Sequence, residues 1–271
     1  MRNGRCRLTS LKQLLDWLRG KRVHASPLAS RQRLDLGEQP PAYAIYAIGD
    51  IHGCIRELIE AEHRIMSDIE ASGVPGLVVL LGDYIDRGPD SAAVLNHLSR
   101  PSPQGLRRLA LCGNHDEMFL RFLTDPRNAA TWLEFGGRET LMSYGVNIEL
   151  FQKRDRIDFT ALRQLLDEAI PLSHIDFIRK MPSSLKLGSY VFTHAGIRPG
   201  IPLEEQTDED LLWIREPFLS RGPELPLTVV HGHTPVPEPE FKPGRIAIDT
   251  CAYATGRLCV LKIYQEDAVL L

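Results

Sequence analysis

Several short apolar runs in this chain stop abruptly, and polar side chains of one chemical kind follow each of them. Residues 43–48 (Tyr-Ala-Ile-Tyr-Ala-Ile) run into Gly49-Asp50-Ile51-His52-Gly53. Residues 77–81 run into Gly82-Asp83-Tyr84-Ile85-Asp86-Arg87-Gly88, and residues 109–111 lead into Cys112-Gly113-Asn114-His115-Asp116. Apolar runs without polar alternation predict strands covered on both faces. Between them, Leu58, Ile59, Ile65 and Ile69 recur at helical spacing and predict a helix over 55–70 that ends in Ser72-Gly73-Val74-Pro75-Gly76. Pro89 suits a first helical turn ahead of 91–98, and 114–123 predicts a helix opening directly from the third polar loop. Residues 131–144 and 161–180 read as helical, with breaks near Gly136-Gly137 and Pro171.

The second half changes character. Segments 184–187, 190–193, 228–230, 245–248 and 257–264 read as strands with few helices between them, which predicts a second, largely antiparallel sheet sharing a core with the first. Two of these also end in histidine, as Thr193-His194-Ala195-Gly196 and His231-Gly232-His233-Thr234-Pro235. A single histidine at a strand end is usually an ordinary core or surface residue. Five strand ends that all present Asp, Asn or His are different, because the carboxyl ends of strands in an α/β sheet are where a ligand site assembles. The resulting oxygen-and-nitrogen basin suits divalent cations and not the thiolate cage of a structural zinc site. Arg87 adds a rigid fork of donors suited to phosphate.

Composition narrows the field without naming a function. The 271 residues are 43% hydrophobic and 25% charged, as in ordinary globular proteins, and a net charge of -3 gives no global case for nucleic-acid binding. Residues 1–40 read as a basic arm and linker, and 41–271 as one catalytic domain. In the arm, Leu11, Leu14, Leu15 and Leu18 fall at helical spacing. So short a helix is expected to pack on its own domain in preference to an anionic membrane surface. Five scattered cysteines fit neither a disulfide framework nor a zinc knuckle. No apolar run approaches the roughly 20 residues of a membrane span, so the expectation is a cytoplasmic protein.

These motifs, in this order, resemble the metallophosphoesterase superfamily. Within it they resemble the phosphoprotein phosphatases, especially the small bacterial and phage type exemplified by the phosphatase of bacteriophage lambda. Ile248-Asp249-Thr250-Cys251-Ala252 resembles the segment that closes the site in those members, with Cys251 where their pattern has glycine. The resemblance implies an α/β fold of two packed mixed β-sheets flanked by helices, an α/β/β/α sandwich. It implies two divalent metal ions, with Mn²⁺ preferred and Fe or Zn as alternatives. Asp50, His52 and Asp83 would hold one, and Asp83, Asn114, His194 and His233 the other, with Asp83 bridging. His231 is read as a strand-end residue. A hydroxide held between the metals would attack phosphorus in line, His115 would protonate the leaving group, and Asp86 would orient His115. Arg87 would bind phosphate oxygens, joined by Arg215 of Trp213-Ile214-Arg215, with Arg198 as its rival.

The expected reaction is hydrolysis of phosphoserine or phosphothreonine in a protein, or of a small phosphoester. The closest alternative is a symmetrical diadenosine tetraphosphatase, a branch that tends to have glutamine at the position of His52 and asparagine at that of Asp86. A catalytically dead phospho-binding module is the reading from another class, and the intact set of candidate ligands speaks against it. The acidic stretch Glu204, Glu205, Asp208, Glu209 and Asp210 is either a substrate-facing surface or a helix start.

Overall fold

The computed structural model describes residues 30–271 except 128, 154, 155 and 266. The chain begins with strands β1 (Arg33–Asp35) and β2 (Ala44–Ile48), helix α1 (Ile55–Ser72), β3 (Gly76–Leu80), α2 (Ser91–Leu98), β4 (Arg107–Ala110) and α3 (Asn114–Thr124). A 3-10 turn (Ala130–Phe135) leads into α4 (Gly137–Ser143), and a second one (Ile148–Phe151) into the small hairpin β5 (Gln152–Lys153) and β6 (Arg156–Ile157). Then come α5 (Phe159–Ala169), α6 (Leu172–Lys180), β7 (Ser184–Leu187) and β8 (Tyr190–Thr193). After α7 (Asp208–Trp213) and α8 (Phe218–Arg221) follow β9 (Thr228–His231), β10 (Glu240–Lys242), β11 (Arg245–Ala247), α9 (Ala252–Thr255), β12 (Val260–Tyr264) and β13 (Asp267–Leu270).

Two sheets pack face to face. The first has the order β13-β12-β2-β3-β4, with β2, β3 and β4 parallel. The second has the order β1-β7-β8-β9-β11-β10. Along β2 the side chains alternate between two cores. Ile45 and Ala47 face the second sheet's Leu185, Phe192, Val230 and Ile246, while Ala44, Tyr46 and Ile48 face Leu58, Ile65, Val94 and Phe119 of the helices. On the far side, α7 and α8 lay Leu211 and Phe218 on Val191 and Val229. The chain is thus an α/β/β/α sandwich, with both sheets mixed.

The second sheet is not largely antiparallel. β1–β7, β8–β9 and β9–β11 are parallel, and only β7–β8 and β10–β11 are antiparallel. For β8 and β9 the cause is α7 and α8, which carry the chain over the outer face and return it in the same direction. Residues 257–264 were expected in this sheet, but β12 pairs antiparallel with β2 in the first. Residues 33–35, read as linker, pair with β7, so the ordered sheet starts ahead of the expected boundary at 41. The expected helix at Leu11–Leu18 lies outside the described residues. Among the described residues, no helix is long and apolar enough to cross a membrane.

One buried ion network ties helices to sheet. The fully buried carboxylate of Glu62 on α1 accepts from Arg108 Nη1 of β4 at 2.9 Å and lies 2.8 Å from His97 Nε2 of α2. Burial alone would raise the Glu62 pKa, but the hydrogen bond with His97 and the charge of Arg108 outweigh it and hold the carboxylate below its ordinary value.

Candidate active site

Every predicted loop meets on one end of the sandwich. β2 delivers Asp50 and His52, β3 delivers Asp83, Asp86 and Arg87, the start of α3 delivers Asn114 and His115, and β8 and β9 deliver His194 and His233. The loops turn tightly, and non-glycine residues take left-handed backbone where they do so: His52 (φ 44°), Asp83 (54°), Asp86 (72°), Arg87 (68°) and His233 (62°). Such conformations are unfavourable for L-residues and cluster where side chains must be aimed. Gly113 is required by closeness, since a Cβ there would overlap Asp83 Oδ1.

Asp83 is the centre of the arrangement. Its Oδ1 accepts from the backbone N–H of His115 at 3.0 Å, which turns Oδ2 toward three imidazoles. His194 Nε2 lies 3.4 Å from Oδ2, His52 Nε2 3.5 Å and His115 Nε2 3.8 Å. Two groups of potential ligands therefore share this residue, His52–Asp83–His115 and Asp83–His194–His233, each with its ligand atoms within 4.8 Å of one another. Sharing runs through one carboxylate oxygen, not through the two oxygens separately. Asn114 Oδ1 joins the second group, 2.8 Å from His194 Nε2 and 2.9 Å from His233 Nδ1. Asp50 stands beside these groups, its carboxylate accepting from His233 N–H at 3.1 Å.

The donor chemistry fits cations. His194 Nδ1 faces the carbonyl of Leu81 at 3.0 Å and must carry a proton, so Nε2 of the neutral ring is a lone pair facing the oxygens of Asn114 and Asp83. Only a proton or a cation reconciles acceptors at such distances. With a proton in that place, burial would lower the His194 pKa, but the Asp83 and Asp50 carboxylates outweigh it and raise it to about 9. His52 Nδ1 likewise faces Ile85 O at 2.7 Å, leaving Nε2 aimed at Asp83, buried and without a hydrogen bond. Burial holds His52 down to about 3, in the neutral form that ligates metals. Asp50 is pushed well above the carboxylate range by burial and by nearby Asp249, which together outweigh the opposing pull of His194.

Beside this basin, His115 Nδ1 lies 2.7 Å from Asp86 Oδ2. Burial opposes the charged imidazole, but Asp83 and Asp86 together raise its pKa. Asp86 is itself fixed by residues that the sequence reading missed: Trp132 Nε1 donates to Oδ2 at 2.7 Å and Thr140 Oγ1 to Oδ1 at 2.6 Å. Asp116 was quoted in a motif but given no role. Its carboxylate accepts from the N–H groups of Asp83, Tyr84 and Gly113, clamping two site loops together. Arg87 Nη2 lies 3.3 Å from His115 Nε2. Arg215 is exposed, and its charge is felt at His233. Arg198 instead pairs with Asp210. The acidic stretch is a helix start, with Thr207 and Asp210 forming a reciprocal cap on α7.

With this geometry in place, the chain can be set beside known proteins; its fold is shared by a protein serine/threonine phosphatase of Saccharomyces cerevisiae (TM-score 0.54 at 15% identity, over 97% of this chain and 95% of that one) as well as by the relatives below. The chain is 26% identical over 249 residues to an asymmetrical bis(5'-nucleosyl)-tetraphosphatase of Anoxybacillus flavithermus, covering 82% of this chain and 91% of that one. It is 28% identical over 162 residues to a symmetrical bis(5'-nucleosyl)-tetraphosphatase of Nitrosospira multiformis, but that match covers 60% of this chain and only 46% of the relative. A crystal structure described as a putative diadenosine tetraphosphatase shares the fold, with a TM-score of 0.59 at 21% identity over 89% of this chain and 97% of its own. The names of these relatives point to tetraphosphatases and not to the expected lambda-type phosphatase. The model of the calcineurin-like phosphoesterases matches residues 43–270, and the chain belongs to that family.

Proposed function

We propose that this metallophosphoesterase hydrolyses a phosphoanhydride bond of bis(5'-nucleosyl) tetraphosphates. The observation that carries the reading is the likeness to an asymmetrical tetraphosphatase through 82% of the chain, on a site where Asp83 is common to two groups of potential ligands and Arg87 lies against His115. The expectation of a protein phosphatase rested on His52 and Asp86, which argue against the symmetrical branch.

Asp50, His52 and Asp83 would hold one divalent cation and Asp83, Asn114, His194 and His233 the other, Mn²⁺ being the first to supply; such ions acidify water and neutralise phosphoryl oxygens. The remaining work belongs to the chain. Arg87 binds phosphoryl oxygens through its fork, and Arg215 meets the same charge from the His233 side. A phosphoryl group on Arg87 stands against His115 Nε2, which holds the proton for the departing oxygen. Asp86 orients the ring through Nδ1, and Trp132 and Thr140 keep Asp86 from turning.

The same dyad favours a second reading, hydrolysis of phosphoserine or phosphothreonine. An alkoxide leaving group needs a proton far more than a nucleotide phosphate does, and a buried His–Asp pair is suited to giving one. Purified protein supplied with Mn²⁺ is offered diadenosine tetraphosphate and a phosphothreonine peptide at equal concentration. Faster nucleotide turnover is expected, with a nucleoside triphosphate and a monophosphate as products. Two diphosphates would indicate symmetrical cleavage, and faster peptide turnover would replace the proposal with the second reading.

A further inference from the structure

Two exposed aromatic rings stand at the mouth of the site on the side of its proton donor. Phe135 is 50% exposed, yet its ring meets the edge of His115 with centroids 6.4 Å apart. Tyr253 is 40% exposed and meets His52 at 5.5 Å, with the Arg87 guanidinium carbon 5.1 Å from its ring centre. Large aromatic faces left in water cost free energy unless a ligand covers them.

Both rings are held from below by fixed chain. Phe135 ends the 3-10 turn that also carries Trp132, the donor to Asp86. Gly136 follows at φ 108°, and a Cβ there would overlap Arg87 N, so the segment is seated directly on the phosphate-binding loop. Tyr253 lies on α9, entered through Cys251, whose N–H donates to buried Asp249 at 2.9 Å. The rings therefore flank Arg87, the residue proposed to bind phosphoryl oxygens.

We propose that Phe135 and Tyr253 form a stacking clamp for a nucleobase of the substrate, on the leaving-group side of the site. The inference rests on the nucleotide reading above. Aromatic faces stack on any base, and an arginine already lying over Tyr253 places a 5'-phosphate and its base on adjacent supports. The clamp thus favours nucleotides over phosphoesters that have no base, without choosing among bases.

The test compares adenosine monophosphate with ribose 5-phosphate as competitive inhibitors of glycerol phosphate hydrolysis by the Mn²⁺-loaded protein. The two inhibitors differ only in the base, so the ratio of their inhibition constants isolates stacking. A ratio of about 5 to 160 is expected, from about 1–3 kcal/mol per stacked base. It should fall several-fold in Phe135→Leu and in Tyr253→Leu and survive in Tyr253→Phe, which keeps the ring. A wild-type ratio near one, or a ratio unmoved in both leucine variants, would overturn the clamp. A high ratio that collapses in the leucine variants, in a protein that leaves diadenosine tetraphosphate uncleaved, would support the clamp and overturn the tetraphosphatase reading.

Discussion

Two regions meet at His115, and they are built on different physics. The basin around Asp83 consists of charged and imidazole side chains at the ends of strands, on left-handed backbone, with acceptors pressed against acceptors. The segment 130–143, which holds Asp86 in place, is ordinary helical core: Trp132 packs on Phe119 and Phe122, and Thr140 is fully buried. The basin sets buried carboxylates against one another, whereas the cap over 130–143 is held by ordinary aromatic packing. Binding chemistry is therefore concentrated in strained loops, while proton-transfer geometry is supplied by a well-packed neighbour.

The largest expected effect tests the basin. Asp83→Asn should lower turnover by at least about 10³-fold, because several kcal/mol of charge stabilisation depends on the cations it joins. Steady-state rates on any accepted substrate report this. His115→Asn tests the border between the regions. It should cost about 10²–10⁴-fold on alkyl phosphates and less on aryl phosphates, with metal content unchanged. Equal losses on both would remove His115 as proton donor.

Glu62→Gln perturbs neither region and so serves as a control on the scaffold. Leaving Arg108 with a neutral partner in the interior should cost about 3 kcal/mol. The folded pKa of Glu62 is depressed, so its contribution is present above the ordinary glutamate range and is lost as pH falls through the folded value. Denaturant midpoints of wild type and variant should therefore differ at pH 7 and converge only once the pH has fallen below the depressed folded value, under the ordinary glutamate range. The smallest effect tests the cap. Trp132→Phe keeps an aromatic ring and deletes the 2.7 Å donor to Asp86, and should lower kcat on alkyl phosphates by about tenfold and stability by about 1–3 kcal/mol, with metal content unchanged. A variant with the wild-type rate would mean that Asp86 is held without the cap.

The basin was legible in the sequence because its residues break the local rule. An apolar strand that ends in Asp, Asn or His is out of keeping with simple core or surface, and five such ends occur. The cap left no such trace, since Trp132 and Thr140 look like any buried helical residues and their partner Asp86 is about fifty positions away in sequence. Asp116 was visible but ambiguous, because an acidic residue at the third position of a helix is also an ordinary cap. In the second sheet, strand positions were readable from apolar runs, but strand direction depended on α7 and α8 crossing the outer face. Strand β12 joined the first sheet because its partner β2 lies far earlier in the chain, a pairing that local pattern does not encode. Substrate class was the least legible, since the side chains around phosphorus suit a phosphoester and a phosphoanhydride alike.

Asp83 would be common to two cation sites, since it belongs to both groups of potential ligands. Metal analysis of purified wild type and Asp83→Asn, each incubated with Mn²⁺ and desalted, tests it most directly. About two equivalents per chain are expected in the wild type, and loss from both sites in the variant. A variant that keeps both ions, or loses only one and leaves the other at full affinity, would contradict a shared carboxylate.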